Sequence, residues 1–500
     1  MDALSVEQKQ AYEAVINGES IFLTGPGGTG KSHLIGLIAN YLRARGVIFS
    51  ITAMTGCAAL LVGNGAKTLH SWAGIGLGKG TIESHVASIS KMYPVKKRWM
   101  KTEVLIIDEI SMMTPELLEL LDGIAKSLRR NQKPMGGIQV VFVGDFLQLP
   151  PVAKQGNVKF AFESPVWSQV IDKMIQLKRI FRQDDPTFQR ILDEARIGEL
   201  SAASLATLKT RCDLSWDNEP IQPTLLFTRN ADVDSINNSN LAQLEGEPHT
   251  YVARTLPHGH PVADVARVVE KLDKDANYVA ELVLKVGAQV MLITNLDQEK
   301  GLVNGSRGVV TGFREGLDWP IVIFKNGQQL PIEPFIWKSD HEPPIERSQI
   351  PLRLAYSLTI HKAQGATLDC SLIDIGVSTF EYGQAYVALS RAKNLEGLYI
   401  HEVSAAAFRA HPLVKKFYAG TYEPPVAPAP APAPVPVPVH VPVLSVTTAR
   451  GGAERSASGQ AVKRKTPPLK GKKAAYGFEE EQEPHQQSSL KNYWGIPPPK

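Results

Sequence analysis

The run Gly25-Pro26-Gly27-Gly28-Thr29-Gly30-Lys31-Ser32 sets four glycines, an ammonium and a hydroxyl in the order G-x-x-x-x-G-K-[ST]. Glycines let consecutive backbone N–H groups turn toward phosphate oxygens, Lys31 can reach the outer phosphates of a nucleoside triphosphate, and Ser32 can ligate Mg²⁺. Two further segments suit the same chemistry. Val104-Leu105-Ile106-Ile107 runs into Asp108 and Glu109, where Asp108 suits Mg²⁺ and Glu109 can polarise a water for in-line attack on a γ-phosphate. An acidic pair is also an ordinary solvated strand end, and the upstream loop is what lends it a catalytic meaning. Gly144-Asp145-Phe146-Leu147-Gln148-Leu149-Pro150-Pro151 offers Gln148 to the γ-phosphate or its water, with two prolines stiffening the loop. By itself this segment reads equally as a turn with a buried glutamine.

Strands must hold these groups at one edge. Apolar runs at Ile21–Thr24, Val47–Thr52, Val104–Ile107 and Gln139–Val143 alternate with helical segments at His33–Tyr41 and Pro115–Arg130. Short, solidly apolar strands between helices predict a parallel sheet covered on both faces. A second set, Thr224–Thr228, Ala288–Ile293, Leu352–Ser357, Cys370–Asp374 and Gly397–His401, predicts a second sheet of the same kind. The pattern breaks around Ala66–Pro94, where short β-like runs and glycine turns are expected to replace helices. It breaks again at Gln289–Glu346, where turns such as Asn304-Gly305 and Asn326-Gly327 read as a small β-barrel insertion. The α/β chain therefore divides into a nucleotide-binding domain over 1–175 with an insertion about 66–94, a second domain over 176–420 with the barrel about 289–346, and a tail over 421–500. In that tail Pro424–Val443 alternates proline with alanine and valine, a composition for extended polyproline II and disorder.

Bulk composition narrows the partners. The net charge of +4 lies wholly in 421–500, which holds ten Lys/Arg and six Asp/Glu, leaving 44 of each sign in 1–420. Nucleic-acid binding by the core would need a local groove rather than a basic bulk. Cys57, Cys212 and Cys370 have no metal-ligand spacing and fit buried thiols in a reducing compartment. Met1-Asp2-Ala3-Leu4-Ser5 carries no secretory or mitochondrial leader pattern, and no apolar run reaches the roughly 18 residues of a membrane span.

Taken in order, these segments resemble a Pif-one family DNA helicase, of the RecD-like branch of superfamily one, across nearly all of 1–420. Leu4-Ser5 with Glu7-Gln8 resembles the adenine-reading Q motif, with Gln8 as the base contact. Ala53-Met54-Thr55-Gly56-Cys57-Ala58-Ala59 and Thr68-Leu69-His70-Ser71 resemble strand-contacting segments, in which Thr55 and His70 touch DNA. Asp108–Met112 and Gly144–Pro151 match the second and third motifs. Between them, Leu128-Arg129-Arg130 and Pro134-Met135-Gly136-Gly137 are similar to a segment peculiar to the family, with Met135 where phenylalanine is usual. Leu177–Gln183 resembles the fourth motif, whose Arg182 approaches the γ-phosphate. Tyr356–Gly365 resembles the fifth, with His361 and Lys362 on DNA, and Tyr386–Lys393 the sixth, with Arg391 as a second arginine finger. Ala288–Met291 with Gly301–Ser306 resembles the family's inserted barrel.

The resemblance implies two RecA-like domains with an SH3-like β-barrel insertion, ATP and Mg²⁺ as cofactors, and catalysis by Lys31, Asp108, Glu109, Gln148, Arg182 and Arg391. It further implies 5′-to-3′ travel on single-stranded DNA and at DNA junctions, by a monomer or a DNA-induced dimer, in replication, repair or telomere maintenance. No membrane partner is expected. In the tail, Gln487-Ser488-Ser489-Leu490-Lys491-Asn492-Tyr493-Trp494 looks like a peptide that docks on the DNA sliding clamp, with Gln487, Leu490, Tyr493 and Trp494 as the contacts. Lys463-Arg464-Lys465 and Lys470-Gly471-Lys472-Lys473 suit a nuclear address, a DNA-holding patch or a solubilising run. With the peptide they point to a nucleus or a viral replication site. The alternatives are a related RNA helicase and a clamp-bound DNA-binding scaffold with a vestigial ATPase.

Overall fold

Strand residues alternate between two buried faces, and that alternation builds the first half of the molecule. The computed structural model describes residues 4–423, apart from 64, 77, 152–157, 213, 217–221, 228–229, 258–261, 276–277, 298–299, 339–344, 377–378 and 380. Strands β1 (Ile21–Thr24), β2 (Phe49–Ala53), β3 (Lys67–Thr68), β4 (Val104–Asp108), β5 (Gln139–Val143) and β6 (Lys173–Gln176) form one sheet in the order β3-β2-β4-β5-β1-β6, every pair parallel. Ile21, Leu23, Val104, Ile106, Val141 and Val143 face helices α1 (Val6–Ile16) and α2 (Lys31–Ala44). Phe22, Leu105, Ile107, Val140 and Phe142 face the helix Pro115–Arg129 on the other side. Burying both faces is what a parallel sheet requires, and it leaves the strand ends as the exposed working edge.

The second parallel sheet has four strands, ordered Ser357–Thr359, β7 (Thr224–Phe227), Ser371–Ile375 and Leu398–Val403. Two expected members lie elsewhere. Gln289–Leu292 pairs antiparallel with Arg307–Phe313 and Leu352–Leu354, because Val290 stands opposite both Gly308 and Leu354. These strands continue through Pro320–Phe324 to Gln329–Pro331 as a five-stranded antiparallel sheet. Hydrogen bonds between the two outermost strands, which would close the expected SH3-like barrel, are absent from that order among the described residues. A three-stranded antiparallel sheet, Phe335–Lys338, Glu346–Gln349 and Arg254–Thr255, lies in the same part of the chain.

Residues 66–94 correct the sequence reading: past β3 they are chiefly helical, in Leu69–Ala73, Ile82–Lys91 and the start of Tyr93–Lys101. Thr68 and Thr81 cap two of these helices by accepting from the N–H groups of Ser71 and Ser84, both at 3.3 Å. Gly74, at φ 70°, ends the first rather than turning a hairpin. Trp72 and Trp99 meet across the insertion with ring centroids 4.6 Å apart.

A second correction concerns the end of the second domain. Helix Pro412–Tyr418 belongs to the first unit's core: Val414 is fully buried there, and Phe417 stacks on Phe162 at 4.2 Å. Tyr422 contacts Phe162 as well, so ordered packing runs past Gly420. The chain thus crosses to the second unit and returns, tying the two halves together. Among the described residues no helix is long and apolar enough to cross a membrane.

Candidate active site

The loop after β1 is clasped from its far side. Gly30, in the left-handed region at φ 80°, caps α2 and starts it at Lys31, whose Nζ donates to the carbonyls of Gly25 (2.6 Å) and Pro26 (2.9 Å). Thr29 Oγ1 donates to Pro26 O at 2.9 Å, and Gln8 Nε2 to Thr29 O at 3.2 Å. The Gln8 Oε1 also accepts from Ser5 N at 3.0 Å, so this side chain closes the cap of α1 while bracing the loop. Ser32 lies exposed one residue into α2.

Two arginines meet the loop at Gly27 and Gly28. A Cβ on Gly27 would sit 3.5 Å from Arg391 Nη2, 3.6 Å from Ser390 Oγ and 3.7 Å from Arg182 Nη1. At Gly28, φ 83°, a Cβ would come within 2.6 Å of the Arg182 Cβ, and Gly28 O accepts from Phe181 N at 2.8 Å. A side chain is excluded at Gly28 by the Arg182 Cβ and the left-handed backbone, whereas at Gly27 the two guanidiniums lie at ordinary contact distance from where a Cβ would be. Arg182 donates to Ser390 O at 3.1 Å; Arg391 is 2% exposed and donates to Val387 O at 3.0 Å and Ser390 Oγ at 2.8 Å. Tyr386, on the helix Gln384–Leu389 that ends just before Arg391, accepts from Gly27 N at 2.9 Å.

Electrostatics describe a cationic pocket short of anions beside an anionic pair short of cations. Burial, then the charge of Arg391, push Arg182 down to about 9, and burial lowers Arg391. Burial also lowers Lys31 against the pull of Asp145, Glu109 and Asp108. Conversely, burial and the Glu109 charge raise Asp108 to about 7. Burial raises Glu109 too, opposed by Lys31, Arg391 and a hydrogen bond from Gln364. A triphosphate carrying a divalent cation would relieve both imbalances at once, which is the fit expected of ATP and Mg²⁺. No group of three or more His, Cys, Asp or Glu is poised for a metal among the described residues. Mg²⁺ typically keeps several waters and takes one or two carboxylates plus substrate phosphates, so Asp108 with Ser32 suits it. Glu109 sits at φ 55°, ψ 45°, a left-handed conformation that is costly for a non-glycine residue.

The loop after β5 completes the seam. Gln148 is 6% exposed, and its own and Leu147's carbonyls face Gly383, where a Cβ would lie 2.5 and 2.7 Å away. Asp145 is fully buried and receives both Arg196 Nε and Nη2 at 2.8 Å, Leu147 N at 3.2 Å and Tyr418 Oη at 3.2 Å. Burial alone would raise this carboxyl; Arg196, its hydrogen bonds and Lys31 hold it below the usual range. Tyr418 Oη also meets Thr24 Oγ1 at 2.7 Å and Phe146 N at 3.1 Å, bridging the ends of β1 and β5.

Arg196→Ala would leave Asp145 buried without its cation and should cost about 3–5 kcal/mol at neutral pH, measured by urea unfolding. In the native pair the stabilisation is present above the ordinary carboxylate range and lost as pH falls through the depressed value. Without Arg196 burial dominates and the sign reverses, so the gap between the two proteins should widen as pH rises from 4 to 7. Equal stability at pH 7 would contradict the pairing.

The expected DNA contacts are only partly gathered. Thr55 caps helix α3 (Gly56–Val62), its Oγ1 accepting from Ala58 N at 3.2 Å. His70 lies on Leu69–Ala73, where partial burial lowers its imidazole. His361 and Lys362 belong to the turn Ile360–Ala363, and their side chains lie outside the described residues. So does everything in the tail from residue 424, including the clamp-like peptide 487–494 and both basic clusters.

Residues 3–203 match the family model described as PIF1-like helicase, and residues 272–313 match the 2B domain of DNA helicase Pif1. Over 474 residues the chain is 37% identical to the ATP-dependent DNA helicase Pif1 of a Psychrobacter species, covering 82% of this chain and 70% of that one. The chain belongs to the PIF1-like helicase family. The Xenopus laevis ATP-dependent DNA helicase PIF1 is 39% identical over 420 residues, covering 83% of this chain and 64% of the relative, so this chain spans less than two thirds of the vertebrate protein. Among solved structures, the Pif1 helicase from Candida albicans has a TM-score of 0.68 at 38% identity, covering 84% of this chain and 100% of that chain. A Bacteroides Pif1 helicase in complex with ADP-AlF3 and ssDNA has a TM-score of 0.56 at 29% identity, covering 84% and 97%.

For this PIF1-like chain, several site residues carried no role in the sequence. Tyr386 and Gln364 stand inside recognisable motifs, so their positions were visible though their contacts were not. Arg196 and Tyr418 had no local signal: Tyr418 is 394 residues from the Thr24 it touches.

Proposed function

We propose that the chain is an ATP-driven DNA helicase that moves 5′ to 3′ on single-stranded DNA and parts duplexes ahead of it. One observation carries the reading: Arg182 and Arg391 flank Gly27 of the phosphate loop, although both follow the last strand of the first sheet in the chain. Lys31, Arg182 and Arg391 carry the charge that spreads over a transferring phosphoryl group, and Glu109 takes the proton of the attacking water. Asp108 and Ser32 would hold Mg²⁺, which would supply neutralisation and orientation of the phosphates. Gln148 senses the γ-phosphate from the loop after β5, and Gln8 reads the base.

Nucleotide at this seam holds the halves together, and product release lets them part. Thr55 and His70 on one half, with His361 and Lys362 on the other, grip the strand alternately, through phosphates rather than base edges. Opening one base-pair stack costs about 0.6–2.2 kcal/mol, so a one-nucleotide advance meets a small load. The Bacteroides neighbour's complex with ADP-AlF3 and ssDNA supports this reading by analogy. Clamp docking through residues 487–494 and a nuclear or viral-replication setting rest on the residue pattern alone; binding of a peptide spanning 487–494 to a sliding clamp tests the first.

The deciding experiment is unwinding of duplexes carrying a 5′ or a 3′ single-stranded tail, with matched RNA duplexes beside them. ATP-dependent separation of the 5′-tailed DNA supports the proposal. Preference for the 3′ tail overturns the polarity, preference for RNA favours the related RNA helicase, and binding without ATP turnover favours a scaffold.

A further inference from the structure

Gln364 joins the two halves at the point where hydrolysis would occur. Its Nε2 donates to Glu109 Oε2 at 2.8 Å, across 255 residues of sequence, and the side chain is 5% exposed. Its Oε1 is buried with no hydrogen-bond partner among the described residues. A buried amide left half satisfied is costly unless its position serves something else. The donor it does use is aimed at the carboxylate that would activate water, and that carboxylate, on a left-handed residue, also lies in the fields of Lys31 and Arg391.

The neighbours of Gln364 extend the link in both directions. Gly365, at φ 83°, presses on α3: a Cβ there would lie 2.5 Å from Leu61 Cδ1. That helix starts at Thr55, and the turn before Gln364 carries His361 and Lys362. Ala366 O accepts from Arg391 Nη1 at 3.4 Å. Three consecutive residues therefore touch α3, Glu109 and Arg391.

We infer that Gln364 is the positioning residue for Glu109, and that the segment Gln364–Ala366 transmits strand contact at α3 and Ile360–Ala363 to the hydrolytic site. This rests on the helicase reading. With the strand gripped, the amide holds the Glu109 carboxylate toward the attacking water; without it, the segment shifts and the carboxylate loses its direction. DNA stimulation of ATP turnover then has a physical carrier in one hydrogen bond.

The test compares the full chain with Gln364→Met, which keeps side-chain length and removes the donor, using an oligo-dT strand as the activator. Misplacing a reacting group by about 1 Å costs roughly 10²-fold, so ATP turnover at saturating DNA should fall about 10- to 100-fold and the DNA-stimulated to basal ratio should collapse toward one. Oligo-dT affinity and fluorescent-nucleotide affinity should stay within about twofold, which separates this loss from misfolding. A double-mutant cycle provides the second readout: in a Glu109→Gln background, Gln364→Met should add almost nothing, because it acts through the missing carboxylate. A preserved stimulation ratio, or a full further loss in the Glu109→Gln background, overturns the inference. If the parent turns over ATP with DNA stimulation and Glu109→Gln abolishes it, the helicase reading survives that failure. If the parent shows no DNA-stimulated turnover, both fall.

Discussion

Arg391→Ala should lower ATP turnover at saturating single-stranded DNA by about 10³–10⁵-fold, the range for losing an arginine that stabilises phosphoryl-transfer charge. The guanidinium sits 2% exposed beside Gly27, held by Val387 O, Ala366 O and Ser390 Oγ, and its Nη2 is the nitrogen nearest the loop. Arg182→Ala should act similarly, since Arg182 approaches Gly27 from the opposite chain segment. Burial disfavours the charged form of both arginines, and the Arg391 charge adds to this at Arg182; Glu109 offsets it only in part, which leaves the pair suited to a further anion. Arg391→Lys should rescue little, because an ammonium lacks the planar fork that spans Val387, Ser390 and the loop together. Steady-state turnover and nucleotide affinity, measured side by side, check the role: turnover must fall far more than affinity. Activity within tenfold of the parent for both alanine variants would remove the seam from the mechanism.

Lys31→Ala should reduce ATP hydrolysis and duplex unwinding by at least about 10³-fold, the loss expected for a preorganised charge at the transition state. Its ammonium, bonded to Gly25 O and Pro26 O, is the cation nearest the start of the loop and lies in the fields of Asp108, Glu109 and Asp145. Single-strand binding should persist, because the candidate strand contacts lie on α3, on Leu69–Ala73 and on Ile360–Ala363. A filter-binding assay run beside the ATPase distinguishes the two effects. Retained unwinding would refute the phosphate role of the loop.

What could be read from the chain was what local chemistry writes. The strands β1, β4 and β5 are mostly apolar runs, and the loop glycines and Lys31 follow the spacing of a phosphate-binding strand-to-helix turn. Burial on both sheet faces leaves few ways to arrange them. Residues 66–94 misled because glycine ends helices as readily as it turns hairpins, and the capping threonines Thr68 and Thr81 were the better signal. Gln289–Leu292 looks like any apolar strand; its partners lie at Arg307–Phe313 and Leu352–Leu354, which a local pattern does not contain. Residues 412–418 fall within the 176–420 span expected for the second domain, but Phe417 and Tyr418 find their partners at Phe162, Thr24 and Asp145. The same limit hid Arg196 and Gln364, whose meaning lies in a buried carboxylate on the other half.

The most direct measurement is a crystal structure of this chain with ADP, Mg²⁺ and a fluoroaluminate in place of the γ-phosphoryl group. A shared seam requires Arg182 and Arg391 within about 3 Å of the fluoroaluminate, the distance of a charge-assisted hydrogen bond, with Lys31 turned onto it from the Gly25 and Pro26 carbonyls. Either guanidinium facing away from the loop, with the halves parted around a bound nucleotide, would contradict it.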